Sequence, residues 1–131
     1  MGLDISFFKT ESVGYFRKVN FILTYFDIDE SKNLKNIDIG KEKFIEFLFD
    51  LSRELLLYDK RKEELKEELE DANANLEPLN PKLKTCGVFF GGSTEYDSMY
   101  WQDIRNVYDW GENLMRTFDW DNCGLQIQCW W

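Results

Sequence analysis

Two stretches of this chain carry oxygen and nitrogen groups at spacings that chemistry uses. The first is Gly87-Val88-Phe89-Phe90-Gly91-Gly92-Ser93-Thr94, which reads as the end of a strand running into a helix. Its spacing imitates the phosphate-cradling loop G-x-x-x-x-G-K-[ST], but Ser93 stands where that loop has its lysine, so hydrolysis of a nucleoside triphosphate is not expected. What remains is a corner in which Gly91, Gly92, Ser93 and Thr94 offer N–H and hydroxyl groups to an anion, a phosphate or a partner's carboxylate. A tight turn that uses the glycines for positive φ and Thr94 as a helix cap accounts for the same residues without a ligand. The second stretch, residues 27–38, imitates a calcium loop, with Asp27, Asp29, Ser31 and Asn33 at alternate positions. Lys32 replaces the turn glycine, Lys35 adds a second ammonium, and Asp38 replaces the bidentate glutamate, so an ordinary polar loop is expected and no metal.

Other reactive groups form no set. The chain has no histidine, which removes imidazole as base, nucleophile or ligand. Carboxylate pairs such as Asp97 with Asp103, or Asp119 with Asp121, arise by chance among 25 acidic residues. Cys86, Cys123 and Cys129 fall in or beside expected strands and read as small core hydrophobes. Three cysteines without a C-x-x-C spacing suit neither a disulfide framework nor zinc, and point to a reducing compartment. No catalytic residue, metal ligand or cofactor is assigned.

The elements that position these groups follow from the apolar pattern. The 131 residues fit one domain, and a chain of this size buries roughly two-thirds of its unfolded surface. Alternation predicts strands over residues 3–9 and 125–130, and the apolar run to Phe90 predicts another over 85–90. Three- and four-residue recurrence predicts helices over 15–26, over 41–58 or beyond, and over 95–118. Thr94 with Asp97 resembles a capping box for the last of them, and Gly111 inside it suggests that another backbone passes close. The second helix has a wide stripe, including Ile45, Phe49, Leu56 and Leu57, and is expected to be central. From residue 59 the sequence turns densely charged, and a charged helical extension and linker is expected over about 59–82, ended by Pro78 and Pro81. The result is an α+β fold, three helices on one face of a small three-stranded sheet, in the order β-α-α-β-α-β.

Sixteen Lys and Arg against 25 Asp and Glu give a net charge of −9, which argues against binding a nucleic-acid backbone. The 22 aromatic residues exclude a disordered acidic tail. No apolar run is long enough to cross a bilayer, and no basic region followed by an apolar stretch marks an export signal, so neither membrane insertion nor export is expected. Met1-Gly2-Leu3-Asp4-Ile5-Ser6 fits a myristoylation pattern, but no basic patch follows, and the same residues read as the start of a strand.

Four blocks also carry a likeness. Met1-Gly2-Leu3-Asp4, then Gly14-Tyr15-Phe16-Arg17-Lys18-Val19-Asn20, then Phe89-Phe90-Gly91-Gly92-Ser93-Thr94-Glu95-Tyr96-Asp97, and a strand ending in Trp131 resemble a family of small bacteriophage and prophage proteins. That family typically begins M-G-L-D-M and shows Y-W-R-K-A-N and F-F-G-S-T-x-Y-D blocks. The likeness covers about a third of the positions; Phe16, Val19 and the added glycine of Gly91-Gly92 depart from it. It implies an accessory protein of the bacterial host cytoplasm that works by binding, inhibiting a host or defence protein or sequestering a nucleotide or other anionic ligand. Because the family blocks contain both groups, Arg17 and Lys18 are expected beside Gly91, Gly92, Ser93 and Thr94 in one ligand site. The alternative is a small carboxylate-dependent enzyme that needs neither histidine nor metal, built around Asp4, Asp97 and Asp103.

Overall fold

The protein is described by a computed structural model, covering residues 3–8, 12–17, 19, 21–28, 36–64, 76–85 and 96–130. Strand β1, Asp4–Phe8, forms a hairpin with β2, Ser12–Arg17. A short helix α1, Phe21–Tyr25, precedes strand β3, Asn36–Ile39. Helix α2, Lys41–Glu64, is followed by a 3₁₀ turn at Pro81–Leu83, helix α3, Ser98–Thr117, and strand β4, Leu125–Trp130. The strands form one sheet in the order β2-β1-β4-β3, and every neighbouring pair is antiparallel.

The α+β class and the strands at residues 4–8 and 125–130 agree with the expectation, whereas the sheet has four strands among the described residues instead of three. Residues 15–17, expected to open the first helix, belong with 12–14 to β2, because Gly14 and Phe16 turn inward while Tyr15 and Arg17 turn to solvent with period two. The polar stretch before the second helix contributes β3, whose Ile37 and Ile39 lie opposite Ile127 and Leu125. The strand expected over 85–90 falls outside the described residues except for Thr85, which is irregular. The calcium-like stretch likewise lies partly outside them, and its Asp38 is committed to β3, accepting from the Gln126 amide at 2.8 Å.

One face of the sheet packs on the helices; on the other, the more open one, Tyr15, Arg17, Asn36 and Asp38 are exposed, Asp4, Gln126 and Gln128 are half-buried, and Ser6 is buried. Ile5, Phe7, Leu125, Ile127 and Cys129 point inward and are essentially inaccessible to solvent. Against them sits Trp110 of α3, its ring 4.5 Å from Phe7 and 5.2 Å from Phe16, with Phe44 of α2 at 5.8 Å on another side. Helix α2 buries Phe44, Phe47, Leu48, Leu51 and Leu55 on one side, whereas Ile45, Phe49 and Leu56, expected to widen its buried stripe and make it central, are exposed; the helix continues through the charged residues to Glu64. Gly111 is required by Leu48 of α2, whose side chain occupies the space where a Cβ would stand; the close neighbour is a side chain, not the backbone expected. The cap of α3 is Asp97, not Thr94.

Segment 76–85 is strapped across α2 and α3 by side chains that reach its backbone. Glu54, 2 % exposed, accepts from the Leu79 N–H at 2.5 Å and the Asn80 N–H at 3.3 Å. Tyr100 donates its hydroxyl to the Leu83 carbonyl at 2.6 Å, and Trp101 donates its indole N–H to the Leu76 carbonyl at 2.9 Å while stacking on Tyr58 at 4.1 Å. Burial raises the Tyr100 phenol far above its ordinary value, so it stays a donor. A buried carboxylate that serves two backbone N–H groups stabilises through charge-assisted bonds, and losing it leaves both donors unsatisfied. Glu54→Ala is therefore expected to lose about 1–3 kcal/mol and to speed proteolytic cleavage within 76–85, measured by thermal denaturation and limited proteolysis.

Candidate functional site

Of the residues expected to form the ligand site, Arg17 is described; Lys18, Gly91, Gly92, Ser93 and Thr94 lie outside the described residues. Arg17 ends β2 opposite Asp4 and projects from the open face of the sheet, the face away from α3. On α3, the Asp97 carboxylate accepts from the N–H groups of Met99 at 3.1 Å and Tyr100 at 3.2 Å. Two of the donors that a helix start can offer an anion are thus held by the chain's own carboxylate, whose charge also opposes a second anion there.

The strand register assembles a polar surface around Arg17. In one row stand Arg17 and Asp4; in the next stand Tyr15, Ser6, Gln128 and Asn36; further along, Gln126 lies opposite Asp38. The Tyr15 hydroxyl donates to the Asp4 carboxylate, which raises the phenol above its ordinary value. Tyr15 remains 53 % exposed. Antiparallel sheets commonly leave one face wet, so openness alone defines nothing. The distinguishing feature is the cargo: a guanidinium, a phenol, three amides and two carboxylates held on paired strands, with hydrogen-bond donors and acceptors of both kinds side by side. Sequence reasoning found Arg17 but missed Tyr15, Gln126, Gln128 and Asn36, since only cross-strand register makes neighbours of residues more than 90 positions apart. The alternation of Leu125, Ile127 and Cys129 with Gln126 and Gln128 was the available signal.

The carboxylates of the enzymatic alternative are spread over two elements. Asp4 is on the open sheet face with Tyr15, and Asp97 caps α3. Asp103, one and a half turns further along α3, is half-buried, and burial together with the Asp97 charge raises its carboxyl above the usual range. Among the described residues no three Cys, Asp or Glu side chains gather as a metal site. No described helix is long and apolar enough to cross a membrane. The chain matches no known protein family, no curated protein sequence and no solved structure.

Proposed function

We propose that the protein is a phage-type accessory factor that acts in the host cytoplasm by stoichiometric binding, inhibiting a host or defence protein or sequestering a nucleotide or other anionic ligand. The observation that carries this reading is the polar sheet face: Arg17, Tyr15, Gln126 and Gln128 are polar groups on strands whose opposite face packs on the core through Ile5, Phe7, Leu125, Ile127 and Cys129. Rigid strands hold such groups in place before a partner arrives, which lowers the ordering cost of binding. Asp4 beside Arg17 favours a protein partner over a bare anion on this face, because a backbone offers donors as well as acceptors. For an anionic ligand the proposed site is the one expected from the sequence, Gly91, Gly92, Ser93 and Thr94 with Arg17 and Lys18 as cations. The net charge of −9 speeds encounter with a basic partner and makes association sensitive to salt.

Affinity capture from host lysate at low and high salt, with the native chain and Arg17→Ala side by side, tests the reading. A stoichiometric protein or nucleotide is expected at low salt, and a protein partner is expected to be lost with Arg17→Ala at unchanged folding. Identical capture by both chains removes the sheet face as the binding surface. The enzymatic reading rests on the raised carboxyl of Asp103; turnover that Asp103→Asn abolishes, with no partner captured, establishes it instead.

A further inference from the structure

Helix α2 exposes a second apolar stripe that the chain's own core does not use. Ile45, Phe49 and Leu56 are 45 %, 65 % and 69 % exposed, and with Ser52 they follow one another at steps of four, three and four residues. That is the spacing of a helix–helix seam, in which successive residues fall alternately to either side of one line. Leu48 and Leu55, which flank the line on one side, are already buried, and Leu48 lies against Gly111 of α3. Three residues of the line, Ile45, Phe49 and Ser52, border a groove of about 430 Å³ between α2 and α3 whose other wall is Tyr108, Glu112 and Met115. The other flank carries Glu46, Arg53 and Lys60 at seven-residue intervals, all exposed.

We infer that this groove is the interface of a symmetric homodimer, in which α2 packs antiparallel on α2 of a second copy. Charge and size complementarity choose that occupant. An antiparallel two-fold register that sets Ile45 against the partner's Leu56 sets Phe49 against the partner's Ser52, so each phenyl ring enters the hollow above the small residue. The same register brings Glu46 beside the partner's Arg53, and symmetry repeats the pair, giving two opposite-charge contacts on the flank away from α3. Glu46 is free to make them: its contacts to Lys43 at 3.9 Å and Lys82 at 3.4 Å are long and half-exposed, and such surface pairs hold a side chain weakly. Charge does not oppose the pairing, because α2 holds six Lys and Arg against seven Asp and Glu, a net of −1 in a chain of −9. An apolar stripe with this spacing on a near-neutral helix fits a second copy better than the strongly basic partner that the rest of the surface attracts. The inference is independent of the sheet face, which lies across the core from the groove.

Sedimentation equilibrium of the full chain is expected to show a monomer–dimer equilibrium in the micromolar range. Phe49→Glu is expected to weaken it at least about tenfold, with an unchanged circular dichroism spectrum because the side chain is exposed. Glu46→Arg and Arg53→Glu place like charges together in each homodimer and are each expected to sediment as monomers. Mixing these two variants restores both opposite-charge pairs in the heterodimer, and a dimer is expected to reappear. A native chain that stays monomeric at every concentration overturns the inference, as does a dimer indifferent to Phe49→Glu. Failure of the mixed variants to associate overturns the register, and capture of a foreign protein through Phe49 by a monomeric chain assigns the groove to another occupant.

Discussion

Trp110→Ala is expected to cost about 3–5 kcal/mol of folding stability, the range for deleting a large packed aromatic side chain. The indole joins elements far apart in the chain. Its N–H donates to the Val13 carbonyl at 2.8 Å, 97 positions away, and its rings contact Phe7 and Phe16 of the sheet and Phe44 of α2. Gly14 lies directly beneath, and a Cβ there would stand 2.5 Å from the indole, so the strand has been kept bare to admit the ring. Truncation therefore removes the half-buried ring that joins three elements and takes the donor from a carbonyl on β2. Trp110→Phe separates the two effects, retaining ring contacts while removing the donor, and is expected to lose about 1 kcal/mol more than repacking alone. Urea denaturation followed by far-ultraviolet circular dichroism measures both, since the signal does not depend on the removed fluorophore. A loss below about 1 kcal/mol for Trp110→Ala contradicts the docking of α3 on the β1–β2 hairpin.

The second large effect is expected within α2. Leu51 is fully buried, and Leu51→Ala removes methyl and methylene groups from a site with no solvent to fill the space, at a cost of about 2–5 kcal/mol. Leu56, five residues on in the same helix, is 69 % exposed, and Leu56→Ala is expected to change monomer stability by no more than about 0.5 kcal/mol. Denaturation at submicromolar protein concentration compares the two without a contribution from self-association. If the two substitutions cost the same, the orientation of α2 described above is wrong.

That contrast shows where sequence patterning stops. Phe44, Phe47, Leu48, Leu51, Leu55 and the wider set Ile45, Phe49, Leu56 together announce a long helix that is apolar on more than one side. The pattern does not say which side meets the core, because both sides satisfy helical spacing. Packing of Leu48 against Gly111 makes that choice. The charged continuation to Glu64 was legible from helix propensity, and the start of α3 was legible to within a few residues. The cap was not, since Thr94 and Asp97 both suit a helix start and only the backbone geometry selects Asp97.

Local information determined the class of this protein. Strands β1 and β4 alternate apolar with polar residues, helices α2 and α3 repeat theirs at three and four, and both periods come from bond geometry that any short segment carries with it. Tertiary structure decided the rest. Tyr15 and Phe16 stand at helical spacing from Val19, Ile22, Leu23 and Phe26, yet residues 12–17 become β2 because β1 offers a ladder of hydrogen bonds and Trp110 a place for Gly14 and Phe16. Residues 36–39 alternate polar with apolar, but over only four residues next to a polar loop, and become β3 because β4 presents an unpaired edge with Ile127 and Leu125 in register. The polar face around Arg17 exists only through those two additions. Strand pairing joins residues distant in sequence, and its free energy is absent from every local window in which the chain can be read.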